Sequence, residues 1–396
     1  MPLHFSPVNY FHYLFKREAN QFFTSIAIRS LALGMILIFE PIYLYEFFGN
    51  SLSKTIFFFA LTHGIQGVLS VYVGKLIAKV GVRHTLLFSH FFYFGYYLCL
   101  FFLYKSFILL PLAIFLKGVG MCLFWPAFHI DFTRFSEKEY QGREVGKMNI
   151  AYSTPTILSP VIGGVILGAA GYSALFSTVL VVLWASSIPM FLSKEKPLIY
   201  SDSFQKTWKR IFKKENRKNS LALVFNDLEQ GIFMYLWPIF MFIIAVGYTT
   251  MGGITTAALI IASLFTLYMG RISDTIINRL WFLNTGSILT SVSWIIKYFV
   301  LTPFDAFLAH IIYKVSRTSA SVPFQTLFYK KASLKGAEAD EFIIYRETLI
   351  NIASFFFFAI LAVVFFFVPK VNLAFIIAAF VSFGFMFLGI PPKFKW

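Results

Sequence analysis

The sequence predicts an all-α integral membrane protein, twelve transmembrane helices in two duplicated six-helix halves, and three observations lead there. The first is composition. Of 396 residues 58% are hydrophobic and 13% charged, with a mean hydropathy of +0.73, too little polar surface to cover a soluble globule of this size. A span needs about 20 mostly apolar residues, so the chain has room for about a dozen with short loops between them. The second is an internal echo. Leu31, Gly34, Pro41 and Ile42 return in one register as Leu228, Gly231, Pro238 and Ile239. The same offset carries Lys117 onto Lys314 and Pro126 onto Pro323, and an offset one residue shorter carries Gly74 onto Gly270. The third is where the net charge of +16 sits. Lys75, Lys79 and Arg83, then Arg134, Lys138 and Arg143, then the basic residues of 194–218 all fall in loops on one side, whereas the opposite loops hold only Lys54, Lys105 and Lys370. That asymmetry assigns the basic loops to the cytoplasm and accounts for the excess charge without a nucleic-acid partner.

Taken in order, residues 1–20 read as an interfacial segment: Ser6 caps a helix with Pro7 in its first turn, and an aromatic run ends in Lys16-Arg17-Glu18. No charged region precedes the apolar run and no small-residue cleavage site follows it, so no signal peptide is expected and this end stays cytoplasmic. The N-terminal half, residues 21–193, carries spans at about 22–47, 55–73, 85–104, 107–128, 145–169 and 172–192, with Gly171 turning the fifth into the sixth. Between residues 193 and 219, nine Lys or Arg meet three acidic residues and no long apolar run, which marks residues 194–219 as a basic cytoplasmic linker. Within it Phe204, Trp208, Ile211 and Phe212 recur at helical spacing behind a Ser201-Asp202-Ser203 cap. That pattern predicts a helix on the inner leaflet, with a solvated basic loop as the alternative.

The C-terminal half, residues 220–391, repeats the rhythm at about 221–246, 251–269, 281–301, 304–328, 342–368 and 371–390. Asn149-Ile150-Ala151 of the fifth span also returns as Asn351-Ile352-Ala353 of the eleventh. Twelve crossings bring the C-terminus back to the cytoplasmic side, in agreement with Lys393 and Lys395. A monomer is expected.

Twelve helices in two similar halves, a basic central linker and a G-x-L-x-x-x-x-G-x-R turn after the second span resemble the major facilitator superfamily over nearly the whole chain. The turn matches at Gly74, Leu76, Gly81 and Arg83, with Ala78 where the family has an aspartate. The second copy, Gly270-Arg271-Ile272-Ser273-Asp274, keeps an acid at Asp274. The resemblance implies a charge-dependent latch between the halves, placed in doubt in the first copy by Ala78. A plainer reading is a topogenic turn, in which glycines permit a tight corner and basic residues hold the loop inside. In the fifth span, Ser159-Pro160-Val161-Ile162-Gly163-Gly164 resembles the G-P-x-x-G-G core of the family's antiporter motif, with Ser159 replacing its first glycine and Pro155 standing where an upstream glycine is expected. That resemblance implies proton-driven export. The alternative is close helix packing at the glycines and a bend at Pro160.

No His-Glu-x-x-His, Gly-x-Ser-x-Gly, phosphate-cradling loop or paired Cys or His at metal spacing occurs, so neither an enzyme nor a bound metal or cofactor is expected. Cys99 and Cys122 read as small buried hydrophobes, and His63 and His90 as packed or interfacial. Without a nucleotide site, transport must run on an ion gradient or by facilitated diffusion. The expected partners are a small-molecule substrate, protons and the lipid bilayer of the cell membrane. What the resemblance implies is secondary active transport of a small organic solute by alternating access, with proton-coupled export first. The alternatives are coupled or facilitated uptake of a polar or anionic metabolite, and a non-transporting receptor or scaffold.

Sites are sought among ionisable residues within spans, because a charge at mid-bilayer costs about 2.5–3.5 kcal/mol on insertion scales and needs a partner or water. These include Arg29 and Glu40 in span 1, Lys117 in span 4, Asp227 and Glu229 in span 7, and Lys314 and Arg317 in span 10, with Asn149, Gln230 and Asn351 as polar companions. Asp227 and Glu229 stand about 200° apart on a helix, so one of them faces the centre. That one is expected to respond to protons with Arg29 as its candidate charge partner; a solvated first-turn carboxylate is the alternative. Lys117 and Lys314 each lie about ten residues, or roughly 15 Å, into their spans, and Arg317 follows one turn after Lys314. An electropositive centre holding an anionic group or relaying charge is one reading. The other is that each lysine is neutralised across a helix interface or deprotonated by burial.

Overall fold

A computed structural model of the chain describes residues 17–135, 141–191, 209, 217–275, 279–333 and 339–388, and only the backbone of 17–23, 131–135, 141–154, 190, 270–275, 279, 330 and 333. Most of the interfacial segment, and the linker helix expected behind Ser201, lie outside the described residues.

Span 1 is two pieces, α1 (Arg17–Ile36) and α2 (Glu40–Phe47). Pro41 has no N–H to give the carbonyl four residues back, so the helix tightens at residues 37–39, where the Phe39 N–H bonds the Ile36 carbonyl at 2.9 Å. Next, α3 (Leu52–Val80) starts behind Ser51, whose side chain accepts from the Lys54 N–H at 3.4 Å. It ends on Gly81, at φ 95° in the left-handed region, and α4 (Val82–Phe101) begins at the following residue. The G-x-L-x-x-x-x-G-x-R turn is therefore a corner made by one glycine. After α5 (Leu109–Phe135), the two limbs of α6 (Gln141–Phe191) form spans 5 and 6, folded at Gly171 with φ 75°.

The second half runs α7 (Arg217–Ile243), α8 (Tyr248–Thr275), α9 (Arg279–Tyr298), α10 (Pro303–Ser333), α11 (Ala339–Phe367) and α12 (Asn372–Ser382). A reciprocal cap opens α10: the Asp305 carboxylate accepts from the Thr302 N–H at 2.9 Å, and the Thr302 hydroxyl accepts from the Asp305 N–H at 3.1 Å. The last span is shorter as an α-helix than the apolar run implies. It tightens to a 3-10 helix over Phe383–Phe387, where Gly384 lies against the Phe225 ring.

In the first half α1 packs on α6 and α4 on α5, and in the second α9 packs on α10 and α12. The halves meet along α3 with α11 and along α6 with α8. The second seam explains the fifth-span motif physically. At this seam a Cβ on Gly164 would strike the Tyr248 carbonyl and one on Gly252 the Pro160 carbonyl, while one on Gly163 would strike the Met35 backbone of α1 within the first half. Thr249 donates across this seam to the Gly164 carbonyl at 3.3 Å, and the Val161 N–H to Thr256 at 3.2 Å. One apolar cluster runs through both halves, while Phe57, Tyr72, Trp184, Phe366 and Phe380 are exposed on the outside of the bundle. Six of the described helices are long and apolar enough to cross a membrane by themselves. At the end opposite the basic loops the halves are closed by Tyr45 on Phe242 and Phe39 on Tyr248, ring centres 6.4 and 6.1 Å apart, and by the Tyr248 hydroxyl donating to Glu46 at 3.3 Å.

Candidate functional site

Breaking span 1 before Pro41 sets Glu40 in the first turn of α2, facing α4 and α5. It ion-pairs there with Lys117 and accepts from the Tyr97 hydroxyl at 3.1 Å. The Phe59 and Tyr96 rings flank the ammonium at 4.6 and 5.1 Å. All three polar residues are buried, so deleting either charge would strand the other at about 3–5 kcal/mol. Arg29 lies over the Tyr93 and Phe124 rings, 4.7 and 3.4 Å from their centres, within the same half.

The second half builds its pair from different positions. Glu229, fully buried on α7, meets Arg317 of α10 at 2.7 Å and accepts from the Trp294 indole of α9 at 2.8 Å. Arg317 also donates to Asn226 at 2.6 Å. Lys314 lies over the Phe233 ring at 4.5 Å and has no carboxylate in ion-pair range among the described residues.

A cation that the sequence reading did not single out lies beside this pair. Lys297, in the last turn of α9, is 0% exposed and has no hydrogen-bond acceptor for its ammonium among the described residues. Four rings surround it instead: Tyr313 at 3.6 Å, Trp237 and Trp294 at 4.2 Å, and Phe233 at 4.4 Å. A lysine this near a helix end ordinarily extends outward to water, and each ring offers about 0.5–2 kcal/mol to hold it inward. Trp294, one turn earlier on the same helix, was the only local signal; Phe233, Trp237 and Tyr313 come from α7 and α10.

Between the halves lies a hydrogen-bonded bridge. His63 of α3 contacts Asn351 of α11 through Nδ1 at 2.8 Å and the Tyr235 hydroxyl of α7 through Nε2 at 2.9 Å. The Ser354 hydroxyl, one turn further along α11, donates to Asp227 at 2.8 Å. Within the second half, Asp227 is thus turned toward α11 and Glu229 toward α9 and α10. Gln230 is exposed on α7. Gly74 and Arg83 are buried beside the Gly81 corner, and Gly270 lies in the backbone of α8. The side chains of Asn149 and Asp274 lie outside the described residues.

Two helical halves joined along a buried polar seam, inside a bundle with a lipid-facing exterior, define a multi-pass membrane protein of the transporter class. The chain belongs to the major facilitator superfamily, whose family profile matches residues 22–337. Its fold is similar to a major facilitator superfamily transporter, FucP, in the outward conformation, with a TM-score of 0.64 and 14% identity over 93% of this chain and 97% of that one. It is likewise similar to a single-residue variant of the E. coli fucose:proton symporter FucP, with a TM-score of 0.63, 15% identity and the same coverage. No curated protein matches the chain in sequence.

Proposed function

We propose that the chain is a proton-coupled secondary transporter of a small, polar, negatively charged organic solute. The observation that carries this reading is Lys314. It stands at mid-span with no carboxylate in ion-pair range among the described residues, and the bridge of His63, Asn351 and Tyr235 between the halves offers hydrogen bonds that a polar solute can replace. Asp227 is the coupling carboxylate in this proposal, since its hydrogen bond to Ser354 crosses to α11, the helix that faces the other half. The transporter works as a monomer in the plasma membrane, with both termini, the linker of residues 194–219 and the basic loops on the cytoplasmic side.

Export is the direction taken here, on the resemblance of Ser159 through Gly164 to an antiporter core. Proton-driven uptake is the second reading, supported by the hydrogen-bonding character of the centre and by likeness to a protein described as a fucose:proton symporter. Thermal stabilisation of the purified protein by a panel of carboxylates, phosphate esters, neutral sugars and amphipathic cations tests the solute class. Stabilisation by the anions supports the proposal, and stabilisation by neutral sugars or cations alone overturns its charge. Flux of the hit into liposomes under opposite pH gradients then reads direction. Asp227→Asn is expected to abolish the response to the gradient while exchange of solute across the membrane persists.

A further inference from the structure

Glu347, Asn351 and Ser354 stand at successive turns of α11, and each has a polar neighbour on another helix, the first two on helices of the first half. Glu347 is 2% exposed, at the end of the molecule that carries the basic loops. It pairs with Arg346 on its own helix, and Nε2 of His129 on α5 stands 3.8 Å away. Nδ1 of the same imidazole is 2.7 Å from the Tyr329 hydroxyl of α10, and the ring packs against Phe328 with centres 6.4 Å apart. One histidine of the first half thus hydrogen-bonds α10 and stands within charge range of a carboxylate on α11. The contacts suit a ring that accepts from Tyr329 at Nδ1 and directs its Nε2–H at the Glu347 carboxylate.

We propose that Glu347 takes up a proton to release this closure. The proton comes from water on the basic-loop side and adds to a carboxylate oxygen. The neutral acid then no longer attracts the His129 N–H or holds Arg346, and the link of α5 to α11 is lost while the His129 bond to Tyr329 on α10 remains. Among the described residues, the titratable and charged groups around Glu347 are Arg346 on α11, His129 and Cys122 on α5, Tyr329 on α10, Asp227 on α7, and His63 of α3 through Asn351. Asn351 also donates to the Glu347 main-chain carbonyl at 2.8 Å, so a shift of that turn reaches the His63 bridge at the centre. The inference rests on the proton-coupled reading and adds a second proton-taking group, at the gate, to Asp227 at the centre.

Amide hydrogen exchange tests it without a substrate, and so independently of any flux assay. In the purified protein, after correction for intrinsic rates, amides of residues 122–130 and 341–350 are expected to exchange about tenfold faster near pH 5.5 than near pH 8. Glu347→Gln at the higher pH should reproduce the low-pH pattern. Wild-type protection in Glu347→Gln at the higher pH, or exchange in these segments that ignores pH in the wild type, overturns the proposal. Should Glu347→Gln fail to fold, His129→Asn serves: its amide retains the bond to Tyr329 but cannot reach Glu347. Fast exchange at both pH values supports the proposal, and wild-type behaviour overturns it.

Discussion

Lys117 and Lys314 occupy equivalent places in the two halves, yet Lys117 closes an ion pair with Glu40 while Lys314 lies over Phe233 with no described carboxylate in range. Tyr97 and Trp294 are equivalent as well, and each donates to the buried carboxylate of its own half. What differs is where the carboxylate stands. Glu40 corresponds to Trp237, and Glu229 to Ala32, two helical turns apart in the shared register. Pro41 breaks span 1 just before Glu40, whereas its equivalent Pro238 sits within the unbroken α7. The first half is thereby locally neutral at its lysine, and the second holds Lys297, Lys314 and Arg317 against Glu229. The halves share the lysine at this place but not the acid, and in the proposed function Lys314, without a described carboxylate in range, is where the anion binds.

The largest effects expected concern the buried pairs. Glu40→Gln should lower stability by about 3–5 kcal/mol by stranding Lys117, and Lys117→Met added to it should recover most of the loss, as measured by thermal unfolding. Additive losses would mean that the pair is not the unit. Lys314→Gln has no partner to strand among the described residues. It should change stability by less than about 1 kcal/mol, yet remove the stabilisation that an anionic hit gives the wild type.

The aromatic surround of Lys297 has no counterpart at Leu100, its equivalent, which is fully buried. Lys297→Met should remain within about 1.5 kcal/mol of wild type because the volume is kept and the rings tolerate an apolar stem. Leu100→Lys should cost several kcal/mol, on the order of 3–5, with a charge stranded in an interior that did not evolve for one. Equal losses from the two substitutions would remove the distinction between the halves at this position.

The smallest effect is at the helix starts. Asp305 caps α10, where its equivalent Ile108 precedes α5 exposed and without a carboxylate. Hydrogen bonds from the Thr302 side chain and from the Thr302 and Leu301 amides hold the Asp305 carboxyl below the usual aspartate range. A carboxyl lowered on folding contributes fully above its unfolded pKa and loses that contribution as pH falls through the folded value. Asp305→Ala should therefore destabilise slightly at neutral pH and not at all in strong acid. A loss that persists in acid would point to packing instead of charge.

The sequence by itself determined the membrane, the twelve spans, the duplication, and the glycine corners at Gly81 and Gly171. All of these follow from local composition, from repeat register or from a backbone conformation that one residue type adopts freely. It also supplied Arg29, Glu40, Lys117, Asp227, Glu229, Lys314 and Arg317, because a charge in an apolar run is conspicuous. Only the tertiary structure decided which of them meet. The partner of Lys117 depends on a break of span 1 that turns Glu40 onto α4 and α5, and the same proline pattern in α7 produces no break. Lys297, His63, His129 and Glu347 escaped for a related reason. Lys297 and Glu347 lie within spans 9 and 11 with no motif or repeat to single them out. Their significance lies in rings and imidazoles contributed by helices up to 288 positions away, as for His63 with Asn351, and spacing along one helix carries no trace of a neighbour brought there by packing.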